Sequence, residues 1–135
     1  MKILLAGCFD VLTVAHVNML LFCRQLAGSN GMVIVSLDTD AKMAVEKRPP
    51  IFRIRERIAA IEALTLMGNR VVSTVIHHND NDHLRASIEI YMPDYIVAGS
   101  DYKEKEVVGH DIAKVIFFER DERFSSTKII TACRK

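Results

Sequence analysis

Lys2-Ile3-Leu4-Leu5-Ala6-Gly7-Cys8-Phe9-Asp10-Val11-Leu12-Thr13-Val14-Ala15-His16 decides the fold of this chain. The run from Lys2 to Ala6 is short, apolar and without polar alternation, as expected of a parallel strand covered by helices on both faces. Gly7 closes that strand. An apolar-periodic stretch then runs from about Val14 to Leu26. Val17, Met19, Leu20, Leu21, Phe22 and Leu26 give it a wide apolar face, so the helix is expected to be largely buried. Strand, glycine turn and helix together form the opening unit of a parallel α/β sheet.

Outward from this unit the same alternation repeats. Gly28-Ser29-Asn30-Gly31 stops the helix, and Met32 to Leu37 reads as a second strand. Asp38 to Phe52 is a polar connection with no clear period, and Pro49-Pro50 argue against a regular helix there. The segment from about Arg53, RIRERIAAIEAL, is helical, with Ile54, Ile58, Ile61 and Leu64 on one face. Val71 to Ile76 reads as a third strand, His83 to Tyr91 as a short helix, Tyr95 to Ala98 as a fourth strand and Lys114 to Phe118 as a fifth. A last helix starts near Ser125-Ser126-Thr127, whose hydroxyls suit a cap. The pattern predicts one domain over residues 1–135, an α/β doubly wound five-stranded parallel sheet of Rossmann-like form.

Composition narrows the function classes. The formal net charge is +1 among 135 residues, too weak a field to argue for nucleic acid or a membrane surface. No apolar run reaches the roughly 18 residues needed to span a bilayer, and no signal peptide is evident. Cys8, Cys23 and Cys133 lie far apart without metal-ligand spacing, which suits reduced thiols and a cytoplasmic location. The stretch His77-His78-Asn79-Asp80-Asn81-Asp82-His83 follows a strand, where a polar loop is expected, and fits no standard zinc pattern. No metal site is expected from it; contact with a substrate is its functional alternative.

Doubly wound sheets bind ligands beyond the carboxyl ends of their strands. The segments Gly7–His16, Asp38–Arg48, His77–His83, Gly99–Lys105 and Arg120–Thr127 all follow strands. Two of them lead into helix N-termini, and Lys42, Lys47, Arg48, Arg120 and Arg123 add positive charge, a combination suited to phosphate. There is no GxxxxGK[ST], which excludes an ordinary P-loop, and no GxGxxG after the first strand, which weakens a dinucleotide-oxidoreductase reading. A phosphoacceptor receiver domain is discounted, because the first strand ends without clustered acids and the third runs into histidines.

Gly7 to His16 resembles the G-x-F-D-x-x-H/T-x-G-H signature of the cytidylyltransferase-like nucleotidyltransferases. Arg120-Asp121-Glu122-Arg123-Phe124-Ser125-Ser126-Thr127-Lys128-Ile129 resembles their R-x-x-x-x-S-[ST]-T-K-I signature. Thr39-Asp40, Lys47, Glu56-Arg57-Ile58 and Gly99-Ser100-Asp101-Tyr102 fall between them in the family's order. Two departures stand out: Thr13 replaces the first histidine usual in cytidylyltransferases, and Ala15 replaces a glycine, its methyl being expected to push phosphates outward.

The resemblance implies transfer of CMP or AMP from CTP or ATP to a phosphorylated small alcohol or sugar, with release of pyrophosphate. The chain length and Arg120 suit glycerol-3-phosphate cytidylyltransferase, the first reading. Pro93-Asp94-Tyr95 and Gly99 to Lys103 through Gly109 look more like the nucleotidyl domain of ADP-heptose synthase, a heptose-1-phosphate adenylyltransferase reading. A catalytically impaired nucleotide-binding module is a third alternative. His16, Lys47 and Arg120 are the implied catalytic residues. Gly7, Cys8, Phe9, Thr13, His16, Gly99, Asp101, Tyr102, Arg120, Ser125, Ser126 and Thr127 are implied to hold the nucleotide. Asp10, Asp40, Lys47 and Arg57 are implied for the acceptor, with Asp10 read equally as a residue that fixes the turn. Mg²⁺ is expected to arrive with the triphosphate, and the family implies a homodimer.

Overall fold

A computed structural model describes residues 1–100, 106–119 and 126–133, with the backbone alone for 126–129. Five parallel strands, β1 (Lys2–Gly7), β2 (Met32–Asp38), β5 (Thr74–His78), β6 (Tyr95–Gly99) and β7 (Lys114–Phe118), form one sheet in the order β5-β2-β1-β6-β7. The sheet starts in the middle with β1, winds out through β2 to β5, and returns across β1 to β6 and β7. The direction of winding therefore reverses between β1 and β6. The expected Rossmann-like α/β sheet is the one observed.

Alternate residues of each strand enter different cores, which explains the unbroken apolar runs. Ile3, Leu5, Val33, Val35, Leu37 and Val97 meet α1 (Val14–Ala27) and α3 (Ile54–Glu62) through Met19, Leu20, Cys23 and Ile61. Leu4, Ile34 and Ile96 meet Leu84 and Ile88 of α4 (Asn81–Tyr91) on the opposite face. A last helix, α5, spans Ser126–Cys133. Among the described residues no helix is long and apolar enough to cross a membrane.

The structure differs from the sequence-based expectation in three places. The connection after β2 contains a short helix, α2 (Asp40–Glu46), capped by the Thr39 hydroxyl, which accepts from the Lys42 amide at 3.3 Å. The proline pair ends the possibility of helix only at 49–50, beyond this segment. The third sheet strand starts at Thr74 rather than Val71 and runs on to His78. Val71 and Val72, both 1 % exposed, instead fill the core on the way into it. Before them lies a two-stranded hairpin, β3 (Thr65–Leu66) and β4 (Asn69–Arg70), turned by Met67 at φ 52 and Gly68 at φ 81. Both central residues at positive φ make this a type I′-like turn, matched to strand twist.

Candidate functional site

The β1–α1 turn is held by backbone geometry. Phe9 adopts φ 49 and folds its ring back over Gly7, where a Cβ would stand 3.1 Å from Phe9 Cε2. Glycine at 7 is what allows that close approach. The Phe9 ring is buried and lies 5.0 Å, centroid to centroid, from the His16 imidazole.

Thr13 is the N-cap of α1, and His16 occupies its third helical position. The Thr13 hydroxyl accepts from the His16 amide at 3.4 Å, while the Thr13 amide donates to His16 Nδ1 at 3.0 Å. This reciprocal cap satisfies two of the donors that a helix start leaves open. It also fixes the ring: an amide donating to Nδ1 assigns the neutral ring proton to Nε2. The half-buried ring lines the crevice described below. Ala15 is 7 % exposed and packs in the interior, so its methyl does not line the crevice.

Asp10, 3 % exposed, serves the loop before α3. It accepts from the amides of Ile51 and Phe52, each at 2.8 Å, and from Arg48 Nη1. Burial opposes its charge, but the Ile51, Phe52 and Arg48 donors prevail and hold its pKa below the ordinary carboxylate value. Of the two readings of Asp10, this geometry displays the turn-fixing one.

Arg57, read from sequence as an acceptor contact, is 1 % exposed. Its Nε donates to the Phe52 carbonyl at 3.0 Å, Nη1 to the carbonyls of Cys8 at 2.9 Å and Asp38 at 2.8 Å, and Nη2 to Asp40 Oδ1 at 2.7 Å. One guanidinium thereby ties the ends of β1 and β2 to the loop and to α2. Asp40 is its ion-pair partner. Both residues are engaged with the protein itself.

A second polar group was not foreseen. In register, Ala6 faces Ser36, Ser36 faces Ile76, and Asp38 faces His78. Cys8, one residue beyond β1, extends the same row, and all of these side chains share the sheet face that α4 covers. The Cys8 thiol donates to Asp38 Oδ2 at 3.1 Å, and His78 Nε2 lies 2.7 Å from Asp38 Oδ1. Ser36 Oγ lies 2.7 Å from His78 Nδ1. An ionised Asp38 can only accept, so Nε2 carries a proton; in the neutral imidazole the Ser36 hydroxyl then donates to Nδ1.

Burial opposes the Asp38 charge, yet His78, Cys8 and Lys42 outweigh it and hold the pKa at about 2, against 3.8. Burial, with the Asp38 charge and hydrogen bond, pushes the Cys8 thiol up to about 11. It is a donor rather than a nucleophile at neutral pH. Ser36 is 0 % and His78 1 % exposed, so this serine–histidine–aspartate set is closed to a substrate carbonyl.

Between these two groups opens a crevice of about 650 Å³ along the carboxyl ends of the strands, lined by Gly7, Cys8, Phe9, Asp10, His16, Asp38, Lys42, Lys47, Arg48, His78 and Gly99. Its cations differ in their engagement. Lys42 lies 2.6 Å from Glu46 and 3.5 Å from Asp38. Lys47, the exposed C-cap of α2, has no ion pair among the described residues, and its charge acts on the Cys8 thiol. Arg48 donates to Asp10, while its buried Nε and Nη2 lack hydrogen-bond partners among the described residues. α5 follows β7 in the chain, and in the sheet only β6 stands between β1 and β7. Asp101, Tyr102, Arg120 and Ser125 lie outside the described residues, as do the side chains of Ser126 and Thr127.

Comparison with known proteins fits this architecture. The chain is 35% identical over 137 residues to "Bifunctional protein HldE" of Desulfatibacillum aliphaticivorans, with 98% of the chain but only 27% of the relative covered. The protein of the same name from a Nitratiruptor species is 34% identical over 95% of the chain and 26% of its own length. The chain thus spans about a quarter of the curated relatives it matches. Among solved structures, a lipopolysaccharide core biosynthesis protein from Thermoplasma volcanium GSS1 shares the fold at a TM-score of 0.65 and 23% identity, over 90% of this chain and 96% of that one. A protein of unknown function from Archaeoglobus fulgidus does so at 0.66 and 15%, over 93% of each chain. The family model described as "Cytidylyltransferase-like" matches residues 4–132. Chain order, sheet topology and the glycine-to-histidine turn agree with that match: the chain belongs to the cytidylyltransferase-like family of nucleotidyltransferases.

Proposed function

We propose that this chain moves a nucleoside monophosphate from a nucleoside triphosphate to a phosphorylated sugar, and that AMP transfer to heptose 1-phosphate describes it better than CMP transfer to glycerol 3-phosphate. Two observations support the sugar reading. Pro93 to Tyr95 and Gly99 to Lys103 resemble the nucleotidyl domain of ADP-heptose synthase. The relatives reported above are bifunctional proteins of which the chain matches about a quarter, as one catalytic part of a longer enzyme would.

The single observation that carries the chemistry is the cap of α1. It presents His16 at a helix N-terminus with Nε2 as its proton-bearing nitrogen, beside a glycine turn and in a crevice with Lys47 and Arg48. A phosphate monoester, with a second pKa near ~6, is already largely dianionic at neutral pH, so the attacking oxygen needs no general base. What remains is alignment and positive charge for in-line displacement at the α-phosphorus. His16 donates to the α-phosphate as charge develops. Lys47 holds the acceptor phosphate against it, and the unsatisfied donors of Arg48 suit an anion at the same place. Arg120 and the start of α5 hold the departing pyrophosphate. The substrate is the magnesium complex of the triphosphate, in which phosphate oxygens and water supply most of the ion's ligands. A homodimer is part of the same proposal, by family resemblance.

The test is pyrophosphate release with each of the four triphosphates against heptose 1-phosphate and glycerol 3-phosphate. Removal of one such donor by His16→Ala is expected to lower the rate of the productive pair about 10²–10³-fold. Equal release by the variant would overturn the assignment of His16, and a preference for CTP with glycerol 3-phosphate would overturn the sugar reading.

A further inference from the structure

Beyond the ends of β1 and β6 the crevice continues to a polar side. Asp38, Lys42 and His78 line it at the ends of β2 and β5, away from the strand pair where the winding reverses. The nucleotide belongs at that reversal, beside the start of α1. The acceptor is left with the β2–β5 side.

On that side Asp38 is unusually well prepared. Its side chain is 16% exposed, and it is held on three sides by the His78 ring, the Cys8 thiol and the Lys42 ammonium. A carboxylate has room for about four hydrogen bonds. One position therefore remains, on a group whose orientation is fixed and whose charge persists at neutral pH. His78 cannot itself contact a ligand, because both ring nitrogens are engaged and the residue is 1 % exposed. A carboxylate held in this way suits a hydroxyl donor and repels a second anion, so the acceptor's phosphate must lie elsewhere, toward Lys47 and Arg48.

We propose that Asp38 accepts a hydrogen bond from a hydroxyl of the acceptor and so selects polyhydroxylated phosphate esters, with His78 as the positioning residue that orients it. The proposal rests on the nucleotidyltransferase reading for the location of the nucleotide. It adds which atom distinguishes a sugar or polyol phosphate from a plain alkyl phosphate. It also accounts for the buried Ser36–His78 pair, which closes no active site of its own and terminates on the carboxylate that faces the crevice.

Binding is measured by titration calorimetry, without turnover, using two matched ligand pairs. These are heptose 1-phosphate with its mono-deoxy analogues, and glycerol 3-phosphate with propyl phosphate. In the wild-type protein the loss of the recognised hydroxyl is expected to weaken binding about tenfold to a hundredfold, the range for a hydrogen bond to a charged group. Asp38→Asn is expected to narrow the difference between parent and deoxy ligand while leaving triphosphate affinity within about twofold, since an amide accepts more weakly than a carboxylate. His78→Phe is expected to narrow it partly, and His78→Gln, whose amide can donate to Asp38, to restore much of it. A purely structural role would lower the melting temperature in the His78 variants without changing that ratio.

Deoxy ligands that bind wild-type protein as well as their parents overturn the proposal without any variant having to fold. So does an Asp38→Asn protein with unchanged discrimination, or a wild-type protein that binds neither parent. Discrimination by Asp38 in a protein that releases no pyrophosphate would leave this inference standing and overturn the transferase reading alone.

Discussion

The two ends of the sheet are fastened by the same device and put to different use. Where the strands begin, Arg24 donates from Nε to the Val71 carbonyl at 2.9 Å, from Nη1 to Gly28 and Gly31 at 2.8 Å each, and from Nη2 to Ser73 Oγ at 3.0 Å. Where they finish, Arg57 ties Cys8, Asp38, Phe52 and Asp40 in the same manner. Each planar fork gathers carbonyls that belong to different segments, a task for which an ammonium is poorly shaped. A buried arginine at the ligand-bearing edge is therefore no evidence of a ligand contact by itself. What separates the ends is the set of buried donors left open: among the described residues Arg48 Nε and Nη2 have no hydrogen-bond partner, and they lie with the exposed Lys47 along the crevice where the strands finish.

The comparison is most exposed to Arg57→Ala, which strands three inward-facing carbonyls and the Asp40 carboxylate. A loss of about 3–5 kcal/mol is expected by urea denaturation. Arg24→Ala, at a half-buried position, is expected to cost less, about 2–3 kcal/mol, with little effect on triphosphate affinity. Equal costs and equal effects on affinity would erase the distinction drawn between the ends.

Acid stability sharpens it next. Asp38 has its pKa at about 2 in the folded chain, against an ordinary 3.8. It therefore contributes stability in full above 3.8, and that contribution is lost as pH falls through about 2. The magnitude is about 2 kcal/mol. Urea midpoints taken at about pH 5 and about pH 2 should fall less steeply in Asp38→Asn than in wild type. Parallel decline would mean that the row Cys8–Asp38–His78 is not coupled in solution.

Two smaller effects probe one end each. Thr13→Ala removes the cap hydroxyl of α1 and is expected to cost about 1 kcal/mol, with Thr13→Ser restoring most of it. At the opposite end, Met67→Asn in the hairpin turn is expected to raise stability by about 0.5–1 kcal/mol, because asparagine tolerates the left-handed backbone better. Thermal denaturation measures both changes.

These differences also explain what the sequence disclosed. The β1–α1 turn was legible because its parts are neighbours: Thr13 and His16 stand three residues apart, and their bonds close within one helical turn. The central strands β1 and β2 were legible because their apolar residues are buried on both faces, whereas the outer strand β7 leaves Phe117 exposed. By contrast, Cys8 meets Asp38 across 30 residues and Ser36 meets His78 across 42. No local pattern announces such pairs. A signal did exist, since strict alternation from Ile34 through Ser36 to Asp38 places two polar residues on an otherwise apolar face. Only the register of β1, β2 and β5 turns that signal into a contact.

The internal partners of Arg57 were illegible for a related reason. The spacing that sets it on α3 does not reveal whether its guanidinium looks outward or toward the strand ends. The α2 helix escaped notice because seven residues carry too little periodicity to outweigh the prolines that follow.

The Met67–Gly68 turn has a practical consequence for all of these experiments. Its methionine is 93% exposed and sits between α3 and β5, far along the chain from the crevice-lining segments of β1 and β2. With Cys8 and Cys23 both held as unreactive thiols by burial, a fluorophore attached through a cysteine introduced there, in a Cys133→Ser background, gives an optical reporter whose attachment leaves the carboxyl edge of the sheet untouched.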